Sequence, residues 1–354
     1  MRQPQHTSNY LIRLIAMPRI LFNTEYSPPQ GLSNRHVQTL LPRFLPQPSL
    51  VRDTEILNLP DGDFVELSWA RPAPSNPKAP IFILFHGLEG SANSPYARIL
   101  LSMAAKKGWR AVLMHFRGCG QAPNRLHRAY HSGDTADAYW FLGQLAVRYP
   151  YALKVAAGVS LGANMLLKLV AEQGGDGLDL AGAIAISAPL DLAASADALN
   201  IGFSSVYQRY LLLALRRKLQ VKLSQEGFPL KLTARQLRQL DTFWAYDNEV
   251  TAPLHGFTSA SDYYQRASAG GMIDRIELPT LILHAQDDPF TSRDLFQRLP
   301  PPSACVRVEL THHGGHVGFI ESKGGMLRSW LPRRIAAQLD AWSSLSMVQA
   351  SSRG

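Results

Sequence analysis

The residues of this chain best suited to chemistry are a serine, two aspartates and three histidines, in that order. The serine sits at the centre of Gly158-Val159-Ser160-Leu161-Gly162. A GxSxG pattern at a strand-to-helix turn lifts a hydroxyl out of the backbone, and its glycines are needed where side chains would collide with neighbouring elements. The pattern alone is weakly specific, but here the context agrees. Small apolar residues (Val155-Ala156-Ala157) precede it, and a helix-like run from Ala163 to Val170 follows. Downstream come Asp287 and Asp288, then His312, His313 and His316. A hydroxyl, a carboxylate and an imidazole are the parts of an activated nucleophile with a general base and an orienting acid.

Each candidate has a rival. Ser160 is expected to be the nucleophile. His316 is expected to be the base, ahead of His312 and His313, because the Gly314-Gly315 turn can aim its ring. A metal reading of these histidines fails, since no carboxylate pairs with them at ligand-like spacing. Asp288 is favoured as the acid because Asp288-Pro289-Phe290 places an apolar residue two positions on; Asp287 remains the alternative. Earlier in the chain, the apolar run Ile81–Phe85 leads into His86-Gly87-Leu88-Glu89-Gly90-Ser91. A His-Gly turn there resembles half of an oxyanion hole, with the amides of Leu88 and Leu161 as the expected donors. His86 is read as shaping that loop. Cys119 is read as a small turn residue, and Arg117 with Asp134 as an internal ion pair.

These parts must be held at one sheet edge. Strand patterns near 81–86, 110–116, 153–159, 181–187, 279–284 and 304–310 alternate with helical patterns near 94–107, 133–149, 162–173, 291–298 and 325–342. That alternation predicts an α/β class with a mostly parallel central sheet and helices on both faces, and the chain order serine, acid, histidine after a GxSxG turn is the one the α/β-hydrolase fold requires. Acid and base then lie on loops beyond the carboxyl ends of the strands, where open sheets place their sites. Asp61-Gly62 between alternating runs predicts a hairpin forming an antiparallel edge. The rhythm breaks between 192 and 250. The expected organisation is an N-terminal arm (1–50), a first core part (51–191), a helical cap insertion (192–250), a second core part (251–346) and a flexible tail (347–354).

Composition narrows the class. Apolar residues make up 46% of the 354, and the formal net charge is +9. No basic-aromatic motif of nucleic-acid binding accompanies that charge, so a solvated basic surface is expected and no nucleic-acid partner. No run reaches the ~18 apolar residues of a membrane helix, which leaves peripheral membrane contact of the basic amphipathic stretch open. Two cysteines, Cys119 and Cys305, make no disulfide framework and point to a reducing compartment. The expectation is a cytoplasmic protein with no cofactor and no signal peptide; Met17 is an alternative start to Met1.

From Asn34 to Phe319 the residues resemble the YheT-type α/β-hydrolase family. Ser33-Asn34-Arg35-His36-Val37-Gln38-Thr39-Leu40 is similar to that family's N-terminal hallmark. Asp247, Gly256-Phe257, Asp262-Tyr263-Tyr264, Ser268, Ile276, Pro279 and Asp287-Asp288 resemble its signature stretch, spacing included. His115-Phe116-Arg117-Gly118-Cys119-Gly120 and Tyr130-His131-Ser132-Gly133-Asp134 also match. The resemblance implies a Ser-Asp-His hydrolase of carboxylic esters without naming the substrate. The combined expectation is a serine esterase acting through an acyl-enzyme on a small-molecule ester, of short to medium acyl chain or lipid-like. A thioesterase, lipase or acyltransferase using the same triad is one alternative, and a non-catalytic binding or scaffold protein is the other. Oligomeric state is not legible.

Overall fold

The computed structural model describes residues 20–175 and 177–351, with side chains to residue 345; the choice between Met1 and Met17 lies outside them. In chain order, β1 (Ile20–Phe22) and α1 (Arg35–Leu40) precede β2 (Arg52–Asn58) and β3 (Phe64–Ala70). Then β4 (Ile81–Phe85), α2 (Pro95–Lys106), β5 (Arg110–Met114), α3 (Ala136–Arg148), β6 (Lys154–Val159), α4 (Leu161–Gln173) and β7 (Gly182–Ile186) alternate. A helical stretch follows: α5 (Leu192–Leu199), α6 (Ser204–Leu223), α7 (Ala234–Gln239), α8 (Phe243–Tyr246), α9 (Ala252–Leu254) and α10 (Ala260–Ala267). The chain closes with β8 (Thr280–Ala285), α11 (Leu295–Arg298), β9 (Val306–Thr311), β10 (Ile320–Lys323), β11 (Met326–Ser329) and α12 (Leu331–Ser351).

Nine strands form one sheet in the order β1-β9-β8-β7-β6-β4-β5-β3-β2. Its pairings are parallel except those of β3 with β5 and β2, as the α/β class requires. The central strands are continuous apolar runs because helices cover both of their faces. On one face Phe141, Leu145, Met165 and Leu169 from α3 and α4 pack against the sheet. On the other, Leu100, Leu101, Ile335 and Leu339 from α2 and α12 do so. A third apolar cluster belongs to the helices between β7 and β8, from Leu192 to Ala267.

The hairpin at Asp61-Gly62 pairs Asn58 with Phe64 and puts β2 at the edge. Two helices differ from expectation. The one expected near 325 begins at Leu331, because Gly324 and Gly325, both with positive φ, turn the chain into the β10–β11 hairpin. The one expected over 291–298 shortens to Leu295–Arg298. Within the arm, Ile20–Phe22 adds a parallel edge strand against Val308–Leu310.

The expected Arg117–Asp134 pair is not formed. Arg117, buried, instead grips Asp137 with two nitrogens at 2.6 and 2.7 Å and reaches Asp61 at 2.7 Å and Asp63 at 3.1 Å. Asp137 lies in the first turn of α3, where both of its oxygens can meet the guanidinium fork, a geometry stronger than a single contact. Asp134 pairs with Arg128 at 2.5 Å. Arg117 thus ties the hairpin turn to α3. Replacing Arg117 with Met should cost about 3–5 kcal/mol, since it strands buried carboxylates. Urea unfolding would read this as an earlier midpoint, and an unchanged midpoint would contradict the account.

Candidate active site

β6 is buried throughout and ends at Val159, and α4 begins at Leu161. Between them Ser160 takes a left-handed backbone, φ 53°, which is unfavourable for a residue with a Cβ. Packing holds it there. A Cβ at Gly158 would stand 2.3 Å from the Gly162 carbonyl oxygen, and one at Gly162 would stand 2.4 Å from the His86 carbonyl oxygen. Only glycine permits both approaches. The Ser160 amide donates to the Ile186 carbonyl on neighbouring β7 at 2.9 Å.

His316, on the loop after β9, brings Nε2 to 2.9 Å from Ser160 Oγ. Its Nδ1 lies 2.9 Å from Asp288 Oδ2, on the loop after β8. Asp288 is fully buried and also accepts from the Phe290 amide at 2.8 Å. The Phe290 ring stacks on the imidazole, 3.9 Å between centroids and 4° from parallel. Asp287 points elsewhere, accepting from the Gly315 amide at 2.9 Å and facing His313. His312 meets Gln286 and stacks on Phe22. Of the two acids and three histidines, only Asp288 and His316 line up with the serine. With Nδ1–H held by the carboxylate, Nε2 is left to accept the hydroxyl proton.

Leu161 is the first residue of α4, so its N–H has no partner within the helix. Leu88 lies across from it on the loop after β4. The amides on either side of Leu88 are both held by tyrosine hydroxyls: Gly87 donates to Tyr96 at 2.9 Å and Glu89 to Tyr130 at 2.8 Å. His86 is fully buried, with Nδ1 2.7 Å from the Gly87 carbonyl and Nε2 accepting from the Phe116 amide at 3.0 Å. Burial pushes its pKa down to about 3. It is a neutral staple between two loops. Burial, then the charge of Glu89, pushes the Cys119 thiol up to about 12, so Cys119 is no nucleophile. Among the described residues no three His, Cys, Asp or Glu side chains group as metal ligands.

Residues 80–323 match the α/β-hydrolase fold family. Over 320 residues the chain is 45% identical to YheT of Escherichia coli (strain K12), covering 88% of this chain and 92% of that one. The chain belongs to the α/β-hydrolase family, in its YheT group. It is also 29% identical to monoacylglycerol lipase of Saccharomyces cerevisiae (strain ATCC 204508 / S288c), over 73% of this chain and 60% of that one. Among solved structures, the Pyrococcus furiosus esterase Pf2001 shares the fold at a TM-score of 0.53 and 14% identity, covering 91% of this chain and 99% of that one.

One part of this hydrolase site escaped the sequence reading. The hallmark segment around α1 grips the His316 loop. Thr39 Oγ1 accepts from the His316 amide at 2.9 Å. Fully buried Gln38 accepts from the Ile320 amide at 2.7 Å and the Tyr26 hydroxyl at 3.0 Å, and donates to the Leu32 carbonyl at 2.7 Å. Gly318 is required because a Cβ there would stand 1.9 Å from the Gln38 carbonyl oxygen. Only Val37 and Leu40 of this six-residue helix are apolar, so its pattern carried no signal that Gln38 would be its buried residue. Truncating Gln38 to Ala should cost about 2–3 kcal/mol by leaving buried groups unpaired, and should speed hydrogen exchange across 314–320. Unchanged exchange there would contradict the grip.

Above Ser160 lies a cavity of about 170 Å³. Leu88 and Leu161 line it from the sheet side, and Leu211, Leu215 and Leu219 line it from α6. At its far wall Asp247 accepts from the Thr251 hydroxyl at 2.5 Å and the Tyr264 hydroxyl at 2.7 Å; burial raises its pKa to about 6 against those bonds. His131 and His255 also line the cavity, each pushed down to about 3 by burial. Between about pH 3 and 6.5 these two and His86 take up protons only when unfolded, so their contribution is full above about pH 6.5 and fades as pH falls. Asp247, raised to about 6, has the opposite sign, as do Asp137 and Asp287, which burial also raises, but these three carboxylates stand against six histidines that burial lowers, His36, His115 and His284 being the others. The melting temperature should therefore drop from about pH 7 to about pH 5, and drop less in a His131→Asn, His255→Asn variant. Equal drops would contradict the assignment.

Proposed function

We propose that the protein is a carboxylic ester hydrolase working through an acyl-enzyme, with Ser160, His316 and Asp288 as its triad. The observation that carries this reading is the continuous hydrogen-bonded line from Ser160 Oγ through His316 to Asp288, set beneath an apolar cavity. Ser160 Oγ attacks the ester carbonyl carbon while His316 Nε2 takes its proton. The carbonyl oxygen becomes an oxyanion facing the amides of Leu88 and Leu161, at the positive end of α4. Collapse breaks the bond to the alcohol oxygen, which leaves with the proton from His316. Water then attacks the acyl carbon and passes its proton to His316, which returns it to Ser160 Oγ as the bond from that oxygen to the acyl carbon breaks and the acid leaves. Asp288 holds the imidazole tautomer and stabilises its charged form.

We read the helices that start at Leu192 as a cap over the serine. The apolar cluster they share extends through Ala267, so the cap we propose runs beyond residue 250. Its apolar lining favours a short to medium acyl chain or a lipid-like ester, and the name of the yeast relative, monoacylglycerol lipase, points the same way. A panel of nitrophenyl esters of rising acyl length tests the reading. Ser160→Ala and His316→Ala should lower kcat by about 10⁶-fold, and Asp288→Asn by less, about 10⁴-fold. Asp287→Asn should stay within about tenfold of the parent, because its carboxylate holds a turn instead of the imidazole. Cleavage of no ester, or equal losses for both aspartates, would overturn the assignment.

A further inference from the structure

The outer face of α6 is unlike a face built for water. Its exposed positions follow a helical stripe that begins at Val206, Tyr210 and Leu213 and reaches Arg217 and Val221. Three further apolar residues extend it: Ile201 and Phe203 just before the helix, and Phe44, 80% exposed, from the segment after α1. Phe44 follows Arg43, whose guanidinium lies over the Tyr210 ring of the stripe, 4.9 Å from its centroid. A helix on a water-soluble surface normally turns its polar residues outward, and clustered exposed apolar residues mark a contact surface.

The charges on this face have one sign. Residues 200–225 contain no Asp or Glu and five Lys or Arg; residues 26–50 contain no Asp or Glu and carry Arg35 and Arg43. Lys218 and Lys222 turn inward, to Glu89 at 2.7 Å and to backbone carbonyls of the 126–128 turn. Arg209, Arg216 and Arg217 make no ion pair among the described residues. Large apolar side chains ringed by unneutralised arginines, with no acid among them, fit an anionic lipid surface: the apolar groups enter the acyl boundary and the guanidinium groups meet lipid phosphates. A partner helix would need acids or apolar groups of its own, but it would not require the whole face to be free of negative charge.

We propose that the outer face of α6, with Phe44 and Arg43, is a peripheral docking surface for anionic membranes. Among the described residues no helix is long and apolar enough to cross a membrane, so this contact would lie in the interface plane. The other side of the same helix lines the cavity over Ser160 through Leu211 and Leu215. Docking would therefore set that cavity against the lipid. The surface stands on exposure and charge and does not rest on the ester reading.

The test is co-sedimentation of the full chain with vesicles of mixed phosphatidylglycerol and phosphatidylcholine, and with vesicles of phosphatidylcholine alone. The parent protein should sediment with the anionic vesicles, hardly at all with the neutral ones, and less in high salt. Tyr210→Ser with Leu213→Ser, and separately Arg209→Gln with Arg216→Gln and Arg217→Gln, should each weaken partitioning by about tenfold or more. Both variants should keep the parent's melting temperature, since Arg209, Tyr210, Leu213 and Arg217 are exposed and half-buried Arg216 makes no ion pair among the described residues. Failure of the parent protein to bind anionic vesicles would overturn the proposal. So would binding untouched by either variant. Sedimentation velocity covers the remaining occupant: a dimer that Tyr210→Ser with Leu213→Ser returns to monomer, without vesicle binding, would assign the face to a second copy of the chain and overturn the membrane reading.

Discussion

The site depends on a backbone that would not hold its shape alone. Ser160 sits at φ 53°, and four other non-glycine residues among those described share positive φ: Glu89, Ser187, Val317 and Phe319. All five follow the carboxyl ends of β4, β6, β7 and β9, where the serine, the imidazole and the two free amides meet. Such conformations cost about 1–3 kcal/mol each and persist only where surrounding packing over-determines them. The packing is visible at each point. Gly158 and Gly162 let the elbow close on the neighbouring loop. The Ser187 hydroxyl accepts from the Val317 amide at 3.2 Å, tying one strained residue to another.

Two outlying segments are drawn into that arrangement. The N-terminal hallmark fixes the His316 loop through Gln38 and Thr39, which makes it part of the site's frame. From the other side, α6 reaches down through Lys218 to Glu89, the residue after Leu88, at 2.7 Å. The Tyr130 hydroxyl donates to the same carboxylate at 2.9 Å and accepts from the Glu89 amide. The loop carrying the Leu88 amide is therefore held jointly by the sheet, by a tyrosine and by a helix of the overlying layer. A displacement of α6 would be felt at that amide through one ion pair.

Much of this was legible in the sequence. The GxSxG turn, the apolar strands and the order serine, acid, histidine are local or one-dimensional signals, and they predicted the α/β-hydrolase fold. What stayed illegible depends on pairings between distant residues. Arg117 pairs with Asp137 in place of Asp134 because the orientation of the first turn of α3 decides which carboxylate meets the fork. Gln38 reads as an ordinary polar residue until the Ile320 amide and the Tyr26 hydroxyl converge on it. The helix expected from 325 gave way to a hairpin because Gly324-Gly325 permits a left-handed turn, a glycine signal outweighed in the reading by the helical pattern beyond it. Asp287 and Asp288 are adjacent and alike in composition; the loop geometry after β8 separates them.

The central claim is that Ser160 is an activated nucleophile, and covalent labelling tests it most directly. The folded protein would be treated with a fluorophosphonate and its intact mass and modified peptide determined. The account predicts one adduct per chain, on Ser160, absent from Ser160→Ala and strongly slowed in His316→Ala. A folded protein that takes up no label, or takes it at another residue, would contradict the account.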